Sequence, residues 1–176
     1  PVLGSLRWPD RPHFKSGNSS WTYMIEHPDG EFALFVGEAD ESEVIERGEL
    51  GKTVPFEVWV QGRQTPPGLG AVAKTLSIDM RSADRNWMLK KLEVLEKATG
   101  ESAFNLPMPP DGEGVIVTSA CQAISKIILW RVDELGVFES QDPTPEEEKP
   151  WLARTPLLDS LFSPKEPKTG PGGTLG

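Results

Sequence analysis

The sequence predicts an α+β fold in which three helices pack on one face of a three-stranded antiparallel sheet. Hydrophobic residues alternate with polar ones in three runs between residues 20 and 61, as in strands that bury one face. From residue 69 onward the hydrophobic period lengthens to about 3.6 residues, which is the period of a helix. Because the predicted strands all precede the predicted helices, we expect the helices to form a separate layer over the sheet.

The predicted domain occupies residues 20–138 and is flanked by two segments of different character. Residues 1–19 show no hydrophobic period and are interpreted as an N-terminal arm, with Trp8 and Phe14 as its expected anchors. Residues 139–176 contain seven prolines and four glycines, which favour a linker or an extended strap over a packed core.

The strand region predicts a hairpin followed by a third strand. The runs 20–27 and 31–37 are joined by a short turn containing Pro28 and Gly30, so they should pair with each other. The third run, 54–61, begins next to Pro55, which has no N–H for a ladder and therefore favours a sheet edge. Alternation along this run places three side chains inward, Phe56, Val58 and Val60, and three outward, Glu57, Trp59 and Gln61.

The helical region predicts three helices, over residues 69–81, 84–99 and 119–135. Ser82 or Asp84 can cap the second helix, and the spacing of Ser119 and Gln122 fits a capping box on the third. Gly100 and Gly136 are suited to the left-handed position that closes a helix. The segment 104–114 contains three prolines and is expected to be a loop.

Two regions carry unbalanced charge. The range Glu26–Glu49 contains nine acids and one arginine, a net charge of −8, and its part within 38–53 is interpreted as a solvated loop. The range Arg63–Lys97 contains seven basic residues and four acids, a surplus of +3 on the first two helices. That surplus is either a solvated face or a docking surface for an acidic partner or a nucleotide phosphate.

Composition argues against several kinds of function. A net charge of −9 argues against nucleic-acid binding, and two histidines with one cysteine do not supply the clusters typical of transition-metal sites. Cys121 falls in the apolar pattern of the third helix and is interpreted as a buried core residue. No run approaches the ~18 apolar residues of a membrane helix, and residues 1–11 lack the pattern of a signal peptide. We therefore expect a cytoplasmic protein with no membrane partner, no metal site and no catalytic residue of its own.

Three segments carry a resemblance to a known family: Pro55–Val60, Gly68–Arg81 and Ser163–Pro171. Together they resemble the C-terminal accessory region of bacterial adenosylcobalamin-dependent (class II) ribonucleotide reductases, and the resemblance covers residues 20–138 and the tail. It implies an α+β accessory domain that supports deoxyribonucleotide synthesis for DNA replication. It also implies that adenosylcobalamin and nucleotide bind elsewhere, on the catalytic domain of the parent enzyme.

The chain departs from the family at the residues that carry chemistry. Thr118–Cys121 only partly matches the Thr-Ser-Cys-Pro-Asp signature of the accessory domain, so no role is transferred to it. One cysteine cannot supply the radical-bearing cysteine and the reducing pair that the family's reaction needs. The chain thus resembles part of a ribonucleoside-diphosphate reductase, an oxidoreductase, without its catalytic cysteines.

Three interpretations follow from these observations. The first is a non-catalytic accessory domain of, or related to, such a reductase, with the catalytic domain or a second copy of the chain as partner. The second is a free-standing acidic protein-interaction module, and for both of these the possible interaction surface comprises Trp59, Arg81 and Arg85. The third is a small enzyme, for which the candidate polar residues are Asp79, Arg81, Asp84 and Arg85.

Overall fold

The computed structural model describes residues 6–40, 53–100 and 102–137, so the predicted linker at 139–176 lies outside the described residues. The elements follow in the order β1 (Ser19–His27), β2 (Gly30–Asp40), β3 (Thr53–Gly62), α1 (Leu69–Met80), α2 (Arg85–Glu96), β4 (Phe104–Met108), β5 (Glu113–Val117) and α3 (Ala120–Glu134). The predicted α+β class and the three-stranded antiparallel sheet are confirmed, as are the three helices to within a few residues at each end.

The main sheet has the strand order β1-β2-β3, so β3 lies at an edge, as its Pro55 predicts. Cross-strand neighbours share a face, and one such row joins Tyr23, Leu34 and Val60. The register shifts after Gly37: Gly37 opposes Glu57 while Glu38 opposes Pro55. Phe56 is therefore the extra residue of a β-bulge on β3.

Helix α3 covers the face of the sheet that contains Trp21, Leu34 and Val58. The ring of Trp130 lies 5.7 Å from that of Trp21, and Arg131 donates two hydrogen bonds to Glu38, at 2.7 and 2.9 Å. The expected solvated loop at 38–53 is thus wrong at both ends, because residues 38–40 belong to β2 and Thr53 begins β3, and Glu38 is only 8% exposed. Residues 41–52 of that loop lie outside the described residues.

The free edge of β3 is protected by α1. The hydroxyl oxygen of Ser77 accepts the backbone N–H of Val58 at 2.9 Å and lies 3.0 Å from the Val58 carbonyl oxygen. The same hydroxyl lies 2.8 Å from the carbonyl oxygen of Ala73, so its proton is donated to one of these two carbonyls. One side chain therefore satisfies edge groups of β3 that could otherwise pair with another strand.

The predicted helix caps are confirmed at three ends and wrong at one. Asp84 accepts the N–H of Asn86, Ser119 accepts the N–H of Gln122, and Gly136 is left-handed with φ of 64°. Gly100 is not left-handed, and α2 ends earlier, at Glu96. Gly100 instead donates its N–H to the Thr118 carbonyl at 2.7 Å, close enough that a Cβ would meet that oxygen at 2.8 Å.

The predicted loop at 104–114 is wrong, because β4 and β5 form a two-stranded antiparallel hairpin there. Pro107 is part of β4, where it opposes Gly114, and its carbonyl oxygen accepts the phenolic O–H of Tyr23 at 2.7 Å. A proline is tolerated here because β4 pairs with β5 alone, which leaves the other edge of β4 without ladder partners.

Candidate functional site

Trp59, the first residue of the predicted interaction surface, lies on the sheet face opposite α3. It is 49% exposed, and the guanidinium carbon of Arg11 lies 4.8 Å from its ring centroid. Arg11 belongs to the N-terminal arm, so Trp59 already contacts a segment of its own chain. Such a cation–π contact contributes about 0.5–1 kcal/mol at an exposed site.

The same arginine holds a buried carboxylate. Arg11 donates from Nε and Nη2 to the two carboxylate oxygens of Glu57, at 2.6 and 2.8 Å. Glu57 is only 8% exposed, although alternation predicts it to face outward, because the arm covers this face. The hydrogen bond that Arg11 donates to it raises the pKa of the guanidinium, so Arg11 stays charged. We call Arg11, Glu57 and Trp59 the arm clamp.

The rest of the arm is fixed on both sides of the arm clamp. The rings of Trp8 and Phe14 each lie 6.1 Å from that of Phe56 in edge-to-face geometry, which confirms them as anchors. Toward the N-terminus, Arg7 donates its backbone N–H to the Arg81 carbonyl at 2.7 Å. The arm therefore runs from the turn between α1 and α2 to the outer face of the sheet.

Arg81 and Arg85, the other predicted surface residues, both have contacts within the chain. Arg81 is the C-cap of α1, and its Nε lies 3.3 Å from the Ser77 carbonyl oxygen. Arg85 is the first residue of α2 and donates from Nη1 to the Val137 carbonyl at 3.0 Å. The arm bridges Arg81 to Trp59, since its residues 7 and 11 contact Arg81 and Trp59, respectively.

A shallow cleft lies beside Arg85, between the arm, β3 and the helices. Its lining comprises Arg7, Trp8, Val54, Pro55, Met80, Ser82, Arg85, Met88 and Val137. The cleft has a volume of about 20 Å³, which is room for about one water molecule. Ligand pockets typically have volumes of about 300–1,000 Å³, so neither a nucleotide nor adenosylcobalamin fits here.

The four polar candidates for a small enzyme contact four different partners. Asp79 accepts the indole N–H of Trp87 at 2.7 Å, and Asp84 accepts the N–H of Asn86 as the cap of α2. Arg81 and Arg85 contact backbone carbonyls, as described above. Within residues 6–40, 53–100 and 102–137, no group of three or more His, Cys, Asp or Glu side chains is arranged to hold a metal ion.

Sequence reasoning missed the surface around Trp87. The helical period places Trp87 with Met88 and Leu92 on an apolar face, but Trp87 is 46% exposed while the other two are buried. The ammonium group of Lys91 lies 4.8 Å from the Trp87 ring centroid and 3.9 Å from the second carboxylate oxygen of Asp79. The i, i+4 spacing of Trp87 and Lys91 was the available signal for this contact.

Two ionisable groups on α3 also differ from expectation. Cys121 is half-buried where full burial was predicted, and desolvation raises the pKa of its thiol. Lys126 is only 3% exposed and donates to a carboxylate oxygen of Glu96 at 2.6 Å. This buried ion pair links α3 to α2. The period of the hydrophobic residues on α3 does not predict a buried charge at this position.

The chain was compared with protein-family models, curated proteins and solved structures, and none of them matches it. In the described part of the chain, no helix has both the length and the apolar character needed to cross a membrane.

Proposed function

We propose that this chain is a non-catalytic accessory domain of, or related to, an adenosylcobalamin-dependent ribonucleotide reductase, and that it supports deoxyribonucleotide synthesis in the cytoplasm. One observation carries the proposal: the two described segments with the family resemblance form one packed unit. Pro55–Val60 lies within β3, Gly68–Arg81 includes α1, and Ser77 joins them through the backbone of Val58. The third segment, Ser163–Pro171, lies outside the described residues.

In this role the chain docks on the catalytic domain and assists assembly, regulation or access of the reductant. The catalytic domain binds adenosylcobalamin and nucleotide, and this chain's residues supply binding surface only. Arg81 and Arg85 retain part of their surface at the α1–α2 turn, and Trp59 is half-exposed on the sheet. Because the arm lies between them, the docking surface includes the arm itself.

A second candidate is a free-standing acidic protein-interaction module. The observation that favours it is the number of large apolar side chains exposed on a chain of net charge −9. Those with exposure near one half or above are Met24, Trp59, Ile78, Trp87, Val94 and Ile116. Exposed apolar groups of this kind mark interaction surfaces when they cluster.

Sedimentation velocity with the purified catalytic domain of a class II reductase from the same genome tests the first proposal. We expect a complex with the wild-type chain and weaker binding by Arg81→Glu/Arg85→Glu. Arg63→Glu/Lys97→Glu makes the same charge change at two exposed positions outside the arm and the α1–α2 turn and should bind like wild type. Far-UV circular dichroism checks that each variant is folded.

Two results would overturn the proposal. The absence of a complex at low salt would remove the reductase context and leave the interaction module as the better candidate. Reduction of ribonucleotides by this chain alone would contradict a non-catalytic role. A reading frame continuous with, or adjacent to, a reductase catalytic domain would support the proposal independently of binding.

A further inference from the structure

Helix α2 exposes an apolar stripe bordered by lysines. Trp87 and Val94 are 46% and 67% exposed and lie seven residues apart, so they share one side of the helix over about two turns. Helical geometry places Lys91 on one border of this pair and Lys90 and Lys97 on the other. We call these five residues the α2 stripe.

Trp87 is held in a fixed orientation before any partner binds. Its indole N–H donates to Asp79 at 2.7 Å, and the ammonium group of Lys91 lies against its ring face. A large aromatic side chain that is already ordered loses little conformational freedom on binding. Tryptophans of this kind are enriched among the residues that dominate binding energy at interfaces.

The charge of the α2 stripe is positive because its three lysines outnumber the acids that lie close to them. Glu96 is bound to buried Lys126, and its side chain is only 18% exposed. Asp79 accepts the Trp87 indole N–H and lies 3.9 Å from the ammonium group of Lys91, so it offsets the charge of Lys91 but not that of Lys90 or Lys97. Glu93 is exposed but lies at the outer margin, beyond Lys90 and Lys97. A chain of net charge −9 therefore presents a local basic surface with an apolar centre.

We propose that the α2 stripe binds an acidic amphipathic helix of a partner protein. Apolar residues of that helix pack on Trp87 and Val94, and carboxylates on both of its borders meet the lysines. A helix fits because the stripe is straight and about 10 Å long, which matches an i, i+3, i+7 apolar row on the partner. The proposal is independent of the reductase assignment, since it rests on α2 and on its contacts with Asp79 and Lys126.

The test uses a synthetic amphipathic helical peptide with leucine along one face and glutamate on both borders, labelled with fluorescein. Fluorescence anisotropy with the full chain should show binding that weakens as salt increases. A peptide with lysine in place of glutamate and one of the same composition in shuffled order are the controls. Both controls should bind about tenfold more weakly or not at all.

Variants then locate the binding surface. Trp87→Ala and Lys90→Glu/Lys97→Glu should each weaken peptide binding about tenfold or more. Trp59→Ala removes a tryptophan of similar exposure, and Lys15→Glu/Arg63→Glu makes the same charge change, so both should bind like wild type. Trp87→Phe keeps the ring without the indole N–H and should give an intermediate affinity, and circular dichroism confirms that each variant is folded.

Several outcomes would overturn this proposal. Equal affinity for the glutamate and lysine peptides would remove the charge argument, and equal weakening by Trp59→Ala and Trp87→Ala would remove the location. Self-association of the chain that Trp87→Ala abolishes would assign the α2 stripe to a second copy instead. None of these outcomes bears on the reductase assignment, which the catalytic-domain experiment tests separately.

Discussion

Trp59 and Trp87 look alike locally but belong to different kinds of region. They are 49% and 46% exposed, and each has a cation 4.8 Å from its ring centroid. The cation on Trp59 is Arg11, from the N-terminal arm, and it also holds the buried carboxylate of Glu57. The partners of Trp87 are near in sequence: Lys91 on the same helix and Asp79, eight positions earlier.

The region around Trp59 holds the fold together, whereas the region around Trp87 is free to bind a partner. The arm clamp joins segments far apart in the chain, so releasing it leaves a buried carboxylate without its partner and removes one attachment of the arm. The Trp87 cluster is closed by short-range contacts, and Trp87 is not one of the buried core residues. Similar exposure and similar cation–π geometry therefore do not imply a similar role.

The largest expected effect is at the arm clamp. Arg11→Met leaves the Glu57 carboxylate, which is 8% exposed, without its partner, and should lower the free energy of unfolding by about 2 kcal/mol. Urea unfolding followed by far-UV circular dichroism measures this change. Arg11→Met/Glu57→Gln should recover more than half of the loss, because it also removes the unpaired charge. A single variant as stable as wild type would show that the clamp is not structural.

A smaller effect is expected where α1 protects the edge of β3. Ser77→Ala removes the hydroxyl that accepts the Val58 N–H and should cost about 1 kcal/mol in urea unfolding. Thr75→Ala on the same helix removes a hydroxyl that contacts only its own helix, so it should be neutral or slightly stabilising. Equal losses from both substitutions would contradict a specific role for Ser77 at the edge.

Near Trp87, the substitution that corresponds to Arg11→Met is at Asp79, and it should change the free energy of unfolding little. Asp79→Ala removes the carboxylate that accepts the Trp87 indole N–H. The indole is exposed enough for water to accept this hydrogen bond instead. We expect a change in the free energy of unfolding of no more than about 0.5 kcal/mol, the usual range for surface positions. A loss comparable to that of Arg11→Met would show that the two regions do not differ as described.

The smallest effect lies outside both regions, at Cys121. Burial raises the pKa of this thiol, so the folded state keeps its proton at a pH where the unfolded state loses it. The stability of wild type should therefore fall as pH rises above the ordinary thiol pKa of about 8.5, with a slope that Cys121→Ala lacks. Urea unfolding at a series of pH values measures this, and parallel pH profiles for the two proteins would contradict the assignment.

Local patterns predict the elements of this fold well but not the contacts that close it. Each of β1, β2, β3 and α1 buries one face. Burial of one face produces a period in the hydrophobic residues, and that period is visible in any short window of the sequence. The β4–β5 hairpin was missed because its strands have five residues each and one contains Pro107. Neither strand has an alternation long enough to outweigh three nearby prolines.

The candidate site was only partly predictable for the same reason. Trp59 was expected to face outward and does so, but its contact with Arg11 joins positions far apart in sequence and leaves no periodic signal. Glu57 was assigned to solvent because alternation does not show what covers a face. The exposure of Trp87 was not predictable, because a hydrophobic side chain at the margin of an apolar face is ambiguous until Asp79 is seen to hold its indole.

The most direct test of the contrast between the two regions is the difference in unfolding free energy between Trp59→Ala and Trp87→Ala. Both variants lose a cation–π contact, so the difference arises because Trp59→Ala places alanine in a strand, which it disfavours, whereas Trp87→Ala places alanine in a helix, which it favours. Urea unfolding should show Trp59→Ala to be less stable than Trp87→Ala by about 1–2 kcal/mol. Equal stabilities, or a lower stability for Trp87→Ala, would contradict the assignment of Trp59 to the fold and Trp87 to an open binding surface.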